Sequence, residues 1–282
     1  MQLGINLWVW GAPITDAQIE DKVPHAAEMG FDVVEVPIEE PHGFDYDRAA
    51  SVLDEHGMDA AVIVAMSEGR DMLHDDPEIR ESGREYVRAS VDAADAIGAD
   101  RVVGPLYSAV GRTWKMSDEE RAEAIDLLVP QLQDLAAYAD ERDVTLCVEP
   151  INRFETSFCN TAEQAIEIVD RVDSPACQIL LDTFHMNIEE KSAADAIRNV
   201  GDRLGHVHAC GNDRGAPGND HIDWDPIVAA LEDVGYDDQV VIESFTPEVE
   251  SIACAAAIWR PLEESQDRLA SDGLAFLEEQ FG

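Results

Sequence analysis

The chain has 282 residues and a formal net charge of −41, because 60 Asp and Glu residues stand against 19 Lys and Arg residues. So acidic a chain argues against nucleic acid as a partner, since phosphate binding depends on clustered Lys and Arg. The acids are spread along the whole sequence and repel one another unless salt screens them. We therefore expect a halophilic protein from a salt-rich cytoplasm, with an acidic interaction surface as the alternative.

Short apolar runs alternate with longer amphipathic runs from the first residues onward, which predicts strands and helices in turn. Strands are predicted at 3–10, 31–38, 59–66, 101–106, 144–150, 177–183, 204–209 and 239–244. Helices follow at 16–29, 46–56, 77–97, about 118–142, from about 161, 192–200, 226–234 and about 261–280. Glycines at Gly30, Gly57 and Gly98 end the first three helices, and a capping box at 117–120 opens the fourth.

Eight units of a strand followed by a helix predict a parallel sheet covered by helices, and eight is the number that closes such a sheet into a (β/α)8 TIM barrel. No linker or change of composition divides the sequence, so we expect a single domain over 1–282. An open doubly wound sheet is the alternative. It would need a glycine-rich phosphate turn after the first strand, and residues 8–13 do not supply one.

The fifth to eighth predicted strands each end in a potential metal ligand; these are Glu149, Asp182, His208 and Glu243. In a barrel the carboxyl ends of the strands meet at one face. Three carboxylates and an imidazole brought together there need a cation, although one such acid taken alone is more often a helix cap or an ion-pair partner. The donors suit Mn²⁺, with Co²⁺ or Mg²⁺ as alternatives. His206 shares the parity of His208 and is predicted to point into the barrel below the metal.

The five cysteines are scattered and form no CxxC pair, which argues against a disulfide framework and against a thiolate zinc site. The amino terminus lacks a basic segment followed by a long apolar one, and no stretch approaches the roughly 20 apolar residues of a membrane span. We therefore expect a soluble cytoplasmic protein that binds no membrane.

Several segments resemble the ketose 3-epimerases, the D-tagatose/D-allulose 3-epimerase family of the xylose-isomerase-like barrels. The resemblance spans nearly the whole chain and is most specific in the Asn-Arg-Phe-Glu string at 152–155 and the Asp-Thr-Phe-His-Met-Asn string at 182–187. Further matching segments are 148–151, 188–190, 206–208, 242–245 and 259–262.

The resemblance implies an isomerase that binds a divalent metal through the four predicted ligands. It implies that Glu149 and Glu243 also exchange protons with carbon 3 of a free ketose through a cis-enediolate, although ligation alone, with another base, is the alternative. It further implies that Glu155, His185 and Arg214 hold substrate oxygens near carbons 1 to 3. Taken alone, Arg214 also suits a phosphate anchor, His185 core packing, and Glu155 an ordinary surface acid. A homodimer or homotetramer is expected from the family.

Three aromatic residues in or just after predicted strands, Trp8, Trp10 and Trp114, are candidates for an apolar wall along the sugar, with core packing as the alternative. Trp114 is the preferred substrate contact. The chain departs from the family at Asn6, where an aromatic residue is often found, and at the strand exit 64–69. These positions face the distal part of the substrate in the family, so the resemblance does not specify the sugar.

The leading hypothesis is a metal-dependent ketose 3-epimerase. An aldose–ketose or hydroxypyruvate-type isomerase, or an inosose dehydratase, is the alternative on the same metal site. A metal-dependent endonuclease would need further His ligands and a basic groove, and neither is visible in the sequence. A non-catalytic sugar-binding or metal-binding protein is the remaining alternative.

Overall fold

Eight parallel strands close into a barrel in chain order in the computed structural model, which describes residues 1–282. The strands are β1 Gln2–Asn6, β2 Val33–Pro37, β3 Asp59–Ile63, β4 Arg101–Gly104, β5 Thr145–Val148, β6 Cys177–Asp182, β7 Leu204–His208 and β8 Gln239–Ile242. The helices are α1 Asp16–Met29, α2 Tyr46–His56, α3 Pro77–Ile97, α4 Asp118–Asp140, α5 Ala162–Val172, α6 Thr183–Glu189, α7 Ala193–Val200, α8 Trp224–Val234, α9 Glu250–Ala255 and α10 Gln266–Phe281. The predicted (β/α)8 barrel is confirmed.

The predicted bounds of α1, α2 and α3 agree with the structure, and the glycines that follow these helices have positive φ. Most strands are shorter than predicted. β1 ends at Asn6 because the Asn6 side chain accepts a hydrogen bond from the backbone N–H of Trp8 at 2.8 Å, and residues Leu7–Val9 form a 3-10 turn. The last helix begins at Gln266, capped by Ser265, and not at 261.

Two short helices, α6 and α9, were not predicted. They have seven and six residues, too few to show a helical period in the sequence. α6 begins directly at the end of β6, where the Asp182 carboxylate accepts a hydrogen bond from the backbone N–H of Phe184 at 2.7 Å. The residue that caps α6 and turns the chain away from the barrel is therefore itself a predicted metal ligand.

Alternation of side chains along the strands separates two apolar regions. Outward residues such as Leu146, Leu181 and Ile242 pack against the helices in the main core. Inward strand residues form a second, smaller cluster with three residues from outside the strands; the strand residues are Ile63, Val103, Cys147 and Leu180, and the others are Trp8, Phe245 and Ile258. The same alternation directs the side chains two residues further along β5 and β6 toward the carboxyl end of the barrel interior.

Arg101 occupies the amino-terminal end of the barrel interior. The buried guanidinium donates to the carbonyl of Gly205 at 2.6 Å and to the carboxylates of Asp100 and Asp238 at 2.8 and 3.0 Å. Its charge is therefore matched locally, at the end of the barrel opposite the predicted site.

No helix is both long and apolar enough to cross a membrane, and all five cysteines are free.

Gly104 ends β4 with a φ of +123°, and a Cβ at this position would overlap the carbonyl oxygen of Val64. We expect Gly104→Ala to lower the free energy of unfolding by about 3 kcal/mol or more, from backbone strain and steric overlap together. Gly57 is the matched control, because its φ of +65° is left-handed but nothing lies within 4 Å of its added Cβ. Gly57→Ala should cost only about 1 kcal/mol. The free energies of unfolding are measured in urea. Equal losses for the two variants would show that the backbone around Gly104 shifts enough to remove the overlap.

Candidate metal centre

The four predicted metal ligands meet at the carboxyl end of the barrel. Asp182 and His208 are the last residues of β6 and β7 and are neighbours in the strand register. Glu149 and Glu243 directly follow β5 and β8. One donor atom from each of the four residues lies within 4.8 Å of the other three, and all four side chains are buried. The structure thus places three carboxylates and one imidazole around a common point.

Two atoms of this cluster are buried without a hydrogen-bond partner: Oε1 of Glu149 and Nδ1 of His208. Buried polar atoms left unpaired are costly, and a cation between them would satisfy both. Nδ1 of His208 also lies 3.5 Å from Oε2 of Glu243, so it faces the carboxylates. The donor set and its unpaired atoms fit a divalent cation.

Arg214 supplies the positive charge nearest to the cluster. Its Nη1 donates to Oδ2 of Asp182 at 2.5 Å and to Oε2 of Glu243 at 2.6 Å. The guanidinium is buried, with the ring centres of Phe184 and Phe245 at 4.1 and 5.3 Å. The backbone of Arg214 has a φ of +70°, and its carbonyl accepts a hydrogen bond from Ser244 at 2.6 Å. Arg214 is therefore committed to the carboxylates of the site.

The two glutamates have opposite pKa shifts. Burial and the charge of Glu243 raise the pKa of Glu149 well above its ordinary value. Burial also acts to raise the pKa of Glu243, but the charges of Arg214 and His208 outweigh it and lower that pKa to about 2. One glutamate is therefore stabilised as the acid and the other as the carboxylate, an arrangement typical of paired acid/base groups.

His185 and Glu155 lie beside the cluster and are both oriented by Asn152. Nδ1 of His185 accepts hydrogen bonds from the backbone and side-chain nitrogens of Asn152, both at 3.0 Å. The other ring nitrogen, Nε2, is 3.5 Å from Oε1 of Glu149 and 3.0 Å from Nη2 of Arg214. Burial and the nearby charge of Arg214 lower the pKa of His185, so the ring stays neutral. Glu155 accepts from the Asn152 side chain at 2.7 Å.

A cavity of about 100 Å³ lies over the cluster. Glu149 and Glu243 both line it, together with Glu155, His185 and Arg214. The rest of its wall is apolar and includes Trp8, Ile63, Val64, Phe245, Ile252 and Ala256. The predicted acid/base pair and three of the four predicted substrate-binding residues therefore face one space.

Of the three tryptophans considered from the sequence, Trp8 lines this cavity. Its indole N–H donates to Glu39 at 3.0 Å, which holds the ring in place. Trp10 donates to Asp267 at 2.8 Å, and Trp114 stacks beneath the guanidinium of Arg112 at 4.4 Å. Trp114 is not among the residues that line the cavity, so its role as a substrate contact stays a prediction.

One buried residue of the site, Glu35, was missed from the sequence, and the contacts of Asn6 were not predicted. Oε1 of Glu35 is 3.0 Å from Nε2 of His208 and 3.0 Å from Nε2 of His206. Oε2 of Glu35 accepts from Asn6 at 2.6 Å. The available signal was a single acid within the apolar run of β2. His206 points into the barrel below the cluster, as predicted.

Comparison with known proteins places the chain among sugar epimerases. Residues 23–280 match the family model of the xylose isomerase-like TIM barrel. The L-ribulose 3-epimerase of Methylomonas sp. strain DH-1 is 30% identical over 284 residues, covering 100% of this chain and 98% of the relative. The ketose 3-epimerase of Arthrobacter globiformis is 31% identical over 282 residues, covering 99% and 96%.

A similar solved structure is that of the D-allulose 3-epimerase from Methylomonas sp. in complex with D-allulose. It superposes with a TM-score of 0.92 at 30% identity, covering 100% of this chain and 97% of the other. The likeness thus extends over both the barrel and the segments that carry the cluster.

Proposed function

This chain belongs to the ketose 3-epimerase family of the xylose isomerase-like TIM barrels and is an isomerase, and from this we propose that it epimerises a free ketose at carbon 3. The observation that carries the proposal is the pair Glu149 and Glu243. The two acids come from opposite ends of a four-strand arc and line the same cavity. Inversion of a carbon centre needs one group to remove a proton from one face and another to return a proton to the other face.

We assign Glu243 and Glu149 as this acid/base pair. In the metal-free site burial and the charge of Glu243 raise the pKa of Glu149, whereas the charges of Arg214 and His208 outweigh burial and lower the pKa of Glu243, so the pair offers one proton donor and one acceptor for carbon 3. In the reverse reaction the roles exchange. Loss of the carbon 3 proton gives the cis-enediolate of the sugar, and return of a proton on the opposite face gives the epimer.

The four-residue cluster is the proposed metal site, with Mn²⁺ as the expected ion and Co²⁺ or Mg²⁺ as alternatives. When bound, the cation supplies positive charge that stabilises negative charge developing on neighbouring substrate oxygens. The side chains of the protein position the sugar. His185 and the guanidinium of Arg214 face its oxygens, and Glu155 is an acceptor for a hydroxyl.

The proposed substrate is an unphosphorylated ketose of five or six carbons. The names of the relatives support this, because L-ribulose and D-allulose are free sugars. The structure adds a further argument, since Arg214 already pairs with two carboxylates and no second arginine or lysine lines the cavity for a phosphate. We propose Trp8 as the aromatic part of the wall against which the sugar lies.

The function is tested by incubating the protein with a panel of ketopentoses and ketohexoses in the presence of Mn²⁺ or Co²⁺, with a chelated sample as control. Because the net charge is −41, the assay is run both in dilute buffer and in concentrated KCl. We expect carbon 3 epimers as products, activity lost on chelation and restored by Mn²⁺, and solvent deuterium at carbon 3. Aldose products with deuterium at carbon 2 would instead show an aldose–ketose isomerase.

A further inference from the structure

Glu35 is a buried carboxylate inside the barrel, directly beneath the candidate metal centre. It lies on β2, across the barrel interior from β7, and its side chain is fully buried. A single carboxylate oxygen, Oε1, faces the Nε2 atoms of both His208 and His206 at 3.0 Å. Of these two imidazoles, only His208 belongs to the four-residue cluster.

The contact selects one form of the His208 ring. Nε2 faces a carboxylate oxygen and so carries a proton that it donates to Glu35. In the neutral ring that binds a cation the other nitrogen, Nδ1, is then unprotonated. Nδ1 is the atom that faces Glu243 and has no hydrogen-bond partner. The lone pair required for metal binding is therefore directed at the cluster.

Glu35 is itself held from a third strand. Its second oxygen accepts a hydrogen bond from Nδ2 of Asn6 at 2.6 Å, and Asn6 is the register neighbour of Glu35 on β1. The side-chain oxygen of Asn6 accepts from the backbone N–H of Trp8 at 2.8 Å, which fixes which end of the amide faces Glu35. Glu35 therefore cannot rotate away from His208 without breaking hydrogen bonds to two strands.

We propose that Glu35 is a positioning residue for metal binding, which holds His208 in the Nε2-protonated form with Nδ1 directed at the cation. The inference rests on the metal site of the proposed function and adds a residue outside the ligand set. Partners of this kind orient metal-binding imidazoles and raise their basicity. A carboxylate that only filled the barrel interior would affect stability and leave metal affinity unchanged.

The first test is Mn²⁺ affinity, measured by calorimetric titration of the apoprotein. Glu35→Gln keeps the shape of the side chain but removes its charge, and we expect the Mn²⁺ dissociation constant to rise about 10- to 100-fold. Asp71→Asn is the matched control. Asp71 is equally buried and accepts hydrogen bonds from Arg112 and from the backbone N–H of Leu73, and neither partner belongs to the cluster. We expect this control to lose stability and to keep the wild-type affinity for Mn²⁺.

The second test needs no variant of Glu35 and so does not depend on the folding of Glu35→Gln. The protein is labelled with ¹⁵N in its eight histidines, and nitrogen shifts are recorded with Mg²⁺, which is diamagnetic. We expect one imidazole, absent from the spectrum of a His208→Gln variant, to be protonated at Nε2 and unprotonated at Nδ1. A proton on Nδ1 of His208 would overturn the inference.

The outcomes separate this inference from the function on which it rests. Failure of the wild-type protein to bind Mn²⁺ would overturn both the metal site and the role of Glu35. Tight binding by the wild type with an unchanged constant in Glu35→Gln, or with an equal loss in Asp71→Asn, would overturn the role of Glu35 alone.

Discussion

Replacement of Glu243 by Gln is expected to reduce the turnover number by roughly 10²- to 10⁴-fold, the usual contribution of a positioned acid or base. An amide does not accept the carbon 3 proton, although its oxygen can still face a cation. Glu149→Gln should cause a loss of similar size, because each glutamate serves one face of the same carbon. Turnover is measured with saturating Mn²⁺, and sugar binding is measured separately by titration.

The two variants should differ in hydrogen exchange. With one glutamate missing, the other can still remove and return the proton of the epimer that faces it. Each variant is therefore expected to exchange carbon 3 hydrogen with D₂O in one epimer only, without converting it. Exchange in neither epimer, with sugar binding intact, would agree with a role for the pair in ligation alone, with another base.

Glu248→Gln is the control for both variants. It makes the same change of charge at an exposed acid on the loop that follows Glu243. We expect wild-type turnover from it. If Glu243→Gln kept the turnover of this control, the acid/base assignment would be wrong, whereas loss of both turnover and sugar binding would point to a collapsed site.

Replacement of Arg214 by Gln is expected to lower the free energy of unfolding of the metal-free protein by about 3–5 kcal/mol, as when one partner of a buried ion pair is removed. The reason is that Asp182 and Glu243 are both buried and both accept from the same guanidinium nitrogen. Addition of Mn²⁺ should restore more stability to the variant than it adds to the wild type, because it supplies the missing positive charge.

The loss in the Arg214 variant should depend on pH in one direction. Burial raises the pKa of Glu243, but Arg214 and His208 lower it from an ordinary value of 4.5 to about 2 in the folded protein. A lowered pKa stabilises the fold above pH 4.5, and this contribution disappears as the pH falls toward 2. The part of the difference between wild type and variant that comes from this lowered pKa should therefore be fully present above pH 4.5 and shrink as the pH falls toward 2.

A surface arginine provides the comparison for Arg214→Gln. Arg268 pairs with Asp272 one helical turn away, and its side chain is 59% exposed. Arg268→Gln should cost only about 0.3–0.5 kcal/mol, as is usual for exposed pairs on a helix. Urea unfolding of the metal-free proteins measures both losses, and an equal effect of the two substitutions would show that Arg214 is dispensable to the buried carboxylates.

The fold and the location of the site followed from the sequence because both depend on local pattern. Alternation of apolar runs with amphipathic ones marked eight strand–helix units, and a closed parallel sheet places the ends of its strands at one face. Glu149, Asp182, His208 and Glu243 occupy those ends, so their meeting needed no knowledge of side-chain geometry. The same holds for the glycines that end the first three helices, since a left-handed residue is a local requirement.

Other features depend on contacts between residues far apart in the chain. Glu35 meets His208 only because β2 and β7 face each other across the barrel interior, and 173 positions separate them in the sequence. Trp8 lines the cavity and Trp114 does not, because of where the segments after β1 and β4 lie relative to the barrel end.

What the sequence by itself determined is the (β/α)8 topology and the set of polar residues delivered to the carboxyl end of the barrel, because hydrophobic period and strand polarity are encoded within short segments. Only the tertiary structure decided the charge state and orientation of those residues. The pairing of Arg214 with Asp182 and Glu243, and the support of His208 by Glu35 and Asn6, arise from distances of 2.5–3.0 Å between different strands and loops. Such distances, and the low dielectric that gives them their effect on pKa, exist only once the barrel has closed and excluded water.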